Sequence, residues 1–307
     1  MTIPIRVLLA ALLALMLGIV PSCTRPEQRE PGPMRVVVSV PPLAGIVRPL
    51  LPEDAEVKVL IGPGSTPHAY ELIPSDLSAL ARADLVVAVG MGLDTRIIET
   101  AQRSASFADV VRFDEAAGLR APERDGHDHD HADHAGHDHG SDDHAEGGDP
   151  HLWLDPSLAK LLQESVAEAI GTDKATLDAA HAALDDLDRT LSVRLNPLLG
   201  KSFVTHHDSL SRFSERYGFR VAASVRVLET IDPSPGELSE AARRIEETGA
   251  IAILTEPQLP RAAAERLADL TGLRLVTIDP LGRGEYGPTL LAIADTLVSV
   301  AAAHNGP

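Results

Sequence analysis

Short β-branched apolar runs alternate with longer amphipathic stretches along this chain, and the alternation occurs twice. Residues 35–40 (RVVVSV), 57–61 (VKVLI) and 85–89 (LVVAV) are brief apolar runs closed by breaker residues, as expected of strands buried in a parallel sheet. Residues 43–50, 74–83 and 95–104 read as the intervening helices, the second opened by Ser75 or a neighbour as cap. After a long interruption the pattern resumes with strands at 203–205, 220–227, 251–255 and 273–278, and helices at 209–217, 234–248, 261–270 and 288–304. The expected fold class is therefore α/β, with two similar lobes, each a parallel sheet flanked by helices.

Between the two series lies helical sequence. Residues 158–170 form one helix, ended by Gly171, and Thr172 can cap a second that runs to about Arg194 and stops at Asn196-Pro197. Leu177, Ala180, Leu184, Leu187 and Leu191 recur along it at three- and four-residue steps and mark one buried stripe. Such a helix spans on the order of 35 Å, enough to run along both lobes as a rigid interdomain link. The expected organisation is a first lobe at 34–170, a linking helix at 171–198 and a second lobe at 199–307.

One segment inside the first lobe breaks the rhythm. Residues 121–148 hold His127, His129, His131, His134, His137, His139 and His144 among aspartates, glycines and alanines, with no apolar residue large enough to anchor a core. A surface loop that samples metal ions weakly is expected there. Much of the chain's charge is also local to this region. The formal net charge is −18, and residues 123–149 carry ten acids against Arg124 alone. An acidic balance excludes the basic face that a nucleic-acid binder needs.

The amino terminus reads as a targeting segment. Residues 7–20 are an uninterrupted apolar run preceded by Arg6, too short for a comfortable bilayer span and suited to a signal peptide over 1–22. Val20-Pro21-Ser22-Cys23 resembles a lipobox, with proline as a departure at its second position. Cys23, the single cysteine, is the candidate lipidation site, and residues 23–33 are the tether. An extracytoplasmic protein is expected, either membrane-anchored as a lipoprotein or periplasmic, and one thiol cannot form an intramolecular disulfide.

In open α/β sheets, ligands gather beyond the carboxyl ends of the strands. His68 follows the strand ending at Ile61, His206 and His207 end the strand at 203–205, and Asp279 ends the strand at 273–278. His151 lies in DPHLWLDP (149–156), between the histidine-rich segment and the next helix. Spacings of 83, 56 and 72 residues match no local zinc motif, so a shared site must form across a cleft between lobes. Three imidazoles and a carboxylate make an N3O shell suited to tetrahedral Zn2+. Nitrogen donors disfavour calcium and magnesium.

Six stretches, PHAYELIPSD (67–76), DPHLWLDP (149–156), HDSLSRFSERYGF (207–219), PSPGELSE (233–240), LTEPQL (254–259) and IDPLG (278–282), occur in an order that resembles the zinc/manganese-type solute-binding proteins of ABC importers, the ZnuA-like cluster. The resemblance spans the chain from about Met34. It implies two α/β lobes bridged by a stiff helix, one Zn2+ bound between them, delivery to an ABC transporter membrane permease, and a monomer. Carried over by position, the ligands it implies are His68, His151, His207 and Asp279, with His206 the neighbour of the third, although a shift by one residue stays open. Histidine at the third position, where manganese-type relatives place glutamate, favours zinc. Arg212 departs from the pattern, standing where an aromatic is expected.

Glu71, Asp155 and Glu256 are candidates for orienting the ligand N–H groups. Because imidazole must be neutral to ligate, metal affinity is expected to fall below about pH 6. The alternatives are a manganese or other divalent-metal binder of the same family, a surface adhesin, and a zinc hydrolase. The last lacks an HExxH motif, a nucleophile elbow and a phosphate-cradling loop, so no enzyme activity and no catalytic residues are expected.

Overall fold

The computed structural model describes residues 32–104, 108–119, 148–226 and 234–304; Cys23, the tether and the seven histidines from His127 to His144 lie outside them. The first lobe contains β1 (Arg35–Val38), α1 (Pro41–Val47), β2 (Glu56–Val59), α2 (Pro74–Arg82), β3 (Leu85–Ala88), α3 (Thr95–Ser104), β4 (Asp109–Arg112) and the short α4 (Phe113–Ala116). Next come α5 (Pro156–Ile170) and the long α6 (Lys174–Leu195). The second lobe holds β5 (Ser202–His207), α7 (Ser211–Tyr217), β6 (Arg220–Arg226), α8 (Pro235–Thr248), β7 (Ile253–Thr255), α9 (Ala262–Thr271), β8 (Leu275–Thr277) and α10 (Tyr286–His304).

Each lobe is built on a four-stranded sheet. The orders β2-β1-β3-β4 and β6-β5-β7-β8 are the same topology, and every pairing is parallel. The expected two-lobed α/β architecture with a long connecting helix is therefore present. β4 is an addition to the sequence reading. Its four residues, DVVR, carry a charge at each end and too few apolar positions to stand out, and its place is fixed by pairing with β3.

Local chemistry sets the ends of the central helices. Gly171 closes α5 in the left-handed conformation, at φ 72°, where glycine has no Cβ to clash. The cap of α6 is Asp173 rather than Thr172: its carboxylate accepts the backbone N–H groups of Ala175 and Thr176, leaving Thr172 Oγ1 to donate to the Leu50 carbonyl. Of the expected stripe along α6, Ala180, Leu184 and Leu191 are buried, joined by Leu195, while Leu177 and Leu187 are partly buried against the core.

The lobes share a core. One apolar cluster runs from Val36 and Leu85 in the first sheet, through Leu184 and Leu191 of the linking helix, to Phe203 and Leu254 in the second. A stripe on α10, Leu290, Ile293, Ala294, Leu297 and Ala301, belongs to this cluster, and the helix packs back on α1 and α6. By length and composition α10 is apolar enough to cross a bilayer; here that apolar face packs into the protein. Gly45 in α1 allows the close approach, because a Cβ there would lie 2.6 Å from both the Gly284 carbonyl oxygen and the Tyr286 nitrogen.

Candidate metal centre between the lobes

Three imidazoles, two from the first lobe and one from the second, come together. His68 stands in a 3-10 turn (Pro67–Ala69) beyond β2, with Pro67 at its first position. His207 is the last residue of β5. His151 precedes the turn Leu152–Leu154, and its backbone N–H is anchored on Asp149 Oδ1 at 2.9 Å. Among the described residues these three form the group able to offer one ligand atom each with all three atoms within 4.8 Å of one another. Ring centroids are 5.0 Å apart for His68–His207, 5.2 Å for His151–His207 and 5.8 Å for His68–His151.

The distance with the clearest chemical meaning is between the Nε2 atoms of His151 and His207, 3.4 Å. Two nitrogens bound to a tetrahedral ion at about 2.0–2.1 Å stand roughly 3.3–3.4 Å apart, the edge of the tetrahedron. His206, one residue earlier on β5, is fully buried and outside the group. Successive strand residues face opposite sides of a sheet, so a strand presenting His207 to the cleft turns His206 away. Of the two neighbours, His207 is the member of the imidazole group.

Asp149 fixes the orientation of His151. Its Oδ1 lies 2.7 Å from His151 Nδ1, which leaves Nε2 directed at the other rings, an arrangement common around metal-bound histidines. Burial pushes the Asp149 carboxyl up, but the side-chain hydrogen bond and charge of His151, its backbone N–H and the nearby Arg212 outweigh this and hold it below the usual carboxylate range. Sequence reasoning missed this aspartate, although an acid two residues before a candidate ligand was a usable signal.

The other expected residues divide. Glu256 is buried, accepts the Ser209 hydroxyl at 2.6 Å and lines a cavity of about 10 Å³ beside His68, His151 and Trp153, room for roughly one water-sized particle. Asp155 instead caps α5 through Ser157 and pairs with Arg216, and Glu71 is exposed. Asp279 stands beyond β8, as its place in the sequence implies, but outside the imidazole group. Its Oδ1 accepts Gln258 Nε2 at 2.9 Å and the backbone N–H groups of Leu281 and Gly282 at 3.2 and 3.1 Å. Gln258, Pro280 and Leu281 line the same cavity as His68 and His151.

Burial and crowding keep two of the rings neutral. His207 is pushed down to about 2, by desolvation first and then by His151 and His68. His68, the more exposed as a residue, is lowered to about 4 by desolvation of its ring and by His151, against the opposing pull of Asp149. An unfolded imidazole titrates near 6.5, so below that pH the unfolded chain binds protons that the folded chain refuses. Stability is thus full above about pH 6.5 and falls as pH drops toward the folded values. For His207 alone the slope is about 1.4 kcal/mol per pH unit. Thermal melts of the metal-free chain at pH 7.5, 6 and 5 should show a steady loss of Tm. At His68 and His207 protons should compete with metal only near pH 4 and lower, so these two donors should not themselves produce the pH 6 onset that free imidazole suggests. NMR titration of the metal-free chain showing either ring protonated at pH 6 would contradict this.

Comparison with known proteins bears on this geometry. The family model described as "ZnuA: Zinc-uptake complex component A periplasmic" matches residues 36–300. The chain is 30% identical over 284 residues to the high-affinity zinc uptake system protein ZnuA of Brucella abortus, covering 80% of this chain and 84% of that one. A crystal structure of ZnuA superposes with a TM-score of 0.72 at 24% identity, covering 88% of this chain and all of that one. The periplasmic zinc binding protein TroA from Treponema pallidum gives 0.71 at 23% identity, covering 88% and 99%. The structural likenesses concern the fold; the family model and the sequence relative go further, and by them this chain belongs to the zinc-uptake complex component A family.

Proposed function

We propose that the protein captures Zn2+ outside the cytoplasmic membrane and surrenders it to the membrane permease of an ABC importer, with His68, His151 and His207 as the metal ligands. The observation that carries this reading is the 3.4 Å approach of two Nε2 atoms inside a cluster of three imidazoles, a spacing suited to a tetrahedral ion. Asp279 is proposed as the fourth ligand, reached by a short movement of the loop whose neighbouring residues border the cavity. Zinc is favoured over manganese because nitrogen donors suit the softer ion. The role is binding rather than catalysis.

Release follows from where the ligands sit. His68 and His151 precede the linking helix and His207 follows it, so a small opening of the lobes removes one donor and weakens the site. Cys23 is proposed to carry a lipid that holds the body, as a monomer, near the permease, while the histidine-rich segment supplies a weak zinc reservoir.

Deleting residues 125–147 should leave one tight zinc per chain and remove only weaker binding, as read by native mass spectrometry and chelator competition. Loss of the tight site on deletion would overturn the assignment of the three histidines.

A further inference from the structure

The imidazole group is tied to the second lobe by a side chain that no ligand assignment requires. Arg212 lies in the first turn of α7, five residues beyond His207, and its side chain is 24% exposed. It donates from Nη2 to the Asp149 carbonyl oxygen at 3.0 Å, and its Nε lies 3.6 Å from Asp149 Oδ2. The opposite carboxylate oxygen of Asp149 holds both Nδ1 and the backbone N–H of His151. The three residues form a chain, Arg212–Asp149–His151, whose first member belongs to one lobe and whose last two belong to the other.

We propose that Arg212 is a positioning residue that clamps Asp149 from across the cleft, so that closure of the lobes and orientation of His151 occur together. This rests on the zinc-binding reading above. Two consequences follow from the chemistry. A carboxylate held by an imidazole at Oδ1, with a guanidinium in ion-pair range of Oδ2, is disfavoured from swinging round into the metal shell, which keeps that shell rich in nitrogen. Pinning also fixes the His151 ring plane, the kind of support whose loss typically costs 10- to 100-fold in metal affinity. A guanidinium suits the task, because it donates to the backbone carbonyl while its charge stays within ion-pair range of the carboxylate of the same residue.

The test is a double-mutant cycle on the full chain with Zn2+ as the probe. Arg212→Met keeps an apolar stem of similar length and removes the guanidinium; Asp149→Asn removes the charged acceptor. Each single change should weaken zinc about tenfold or more by chelator competition, and the double variant should lose little beyond Asp149→Asn alone. The 15N resonance of His151 Nδ1 should move in Arg212→Met with zinc bound, a signal that a merely structural arginine would leave in place. Unchanged affinity in a folded Arg212→Met chain, or losses that simply add in the double variant, would overturn the clamp. If the wild-type chain bound no zinc tightly, the functional reading itself would fail instead.

Discussion

Replacing His207 with alanine is expected to weaken zinc binding more than a hundredfold, while replacing its neighbour His206 leaves affinity within a few-fold of wild type. His207 ends an interior strand of its sheet, its residue is only 9% exposed, and its Nε2 lies 3.4 Å from that of His151. Alanine removes one of three nitrogen donors outright, a larger loss than the 10- to 100-fold typical of residues that only support ligands. A hundredfold corresponds to about 2.7 kcal/mol of binding. His206 is fully buried and, by the alternation of a strand, should face away from His207, so its removal is expected to act on stability and lower Tm instead. Chelator competition on both variants reads the difference, and equal losses of affinity would contradict the assignment.

Trp153→Ala should be the most destabilising single change near the site, at about 3–5 kcal/mol, the usual range for truncating a buried aromatic. The indole is 1% exposed and its ring lies 5.2 Å from that of His151. Its Nε1 donates to the Pro280 carbonyl at 2.9 Å, and its own carbonyl accepts the Tyr286 hydroxyl at 2.7 Å. The segment bearing His151 is thereby fastened to the loop that follows Asp279. Truncation opens a cavity and leaves the Pro280 oxygen without this donor. Trp153→Phe should keep most of the packing and lose about 0.5–1.5 kcal/mol. Because Trp153 is the only tryptophan, unfolding of both variants is best followed in urea by circular dichroism. Near-equal stability of wild type and Trp153→Ala would show that the fastening is absent in solution.

Much of this was legible in the sequence because it depends on period and position. Buried parallel strands advertise themselves as β-branched runs, and residues at their carboxyl ends are natural ligands, which is how His68 and the pair His206 and His207 stood out, the resemblance favouring His207. The stripe on the linking helix could be read for the same reason. What escaped depends on who packs against whom. The apolar face of α10 signalled burial but not that it would fold back on α1 and α6 and join the apolar cluster that spans both lobes. Asp149 escaped because its role lies in a 2.7 Å contact with the ring two residues on, and Arg212 because its partner is 63 residues away. Asp279 stands at the expected strand end, and the contacts of its Oδ1 with the turn that follows are set by the fold and not by its place in the sequence.

Anomalous diffraction at the zinc edge, on crystals of the zinc-loaded chain, would locate the ion directly. The expected result is one dominant peak about 2.0–2.1 Å from the Nε2 atoms of both His151 and His207 and in contact with His68. A dominant peak elsewhere, with those three rings directed apart, would contradict the account.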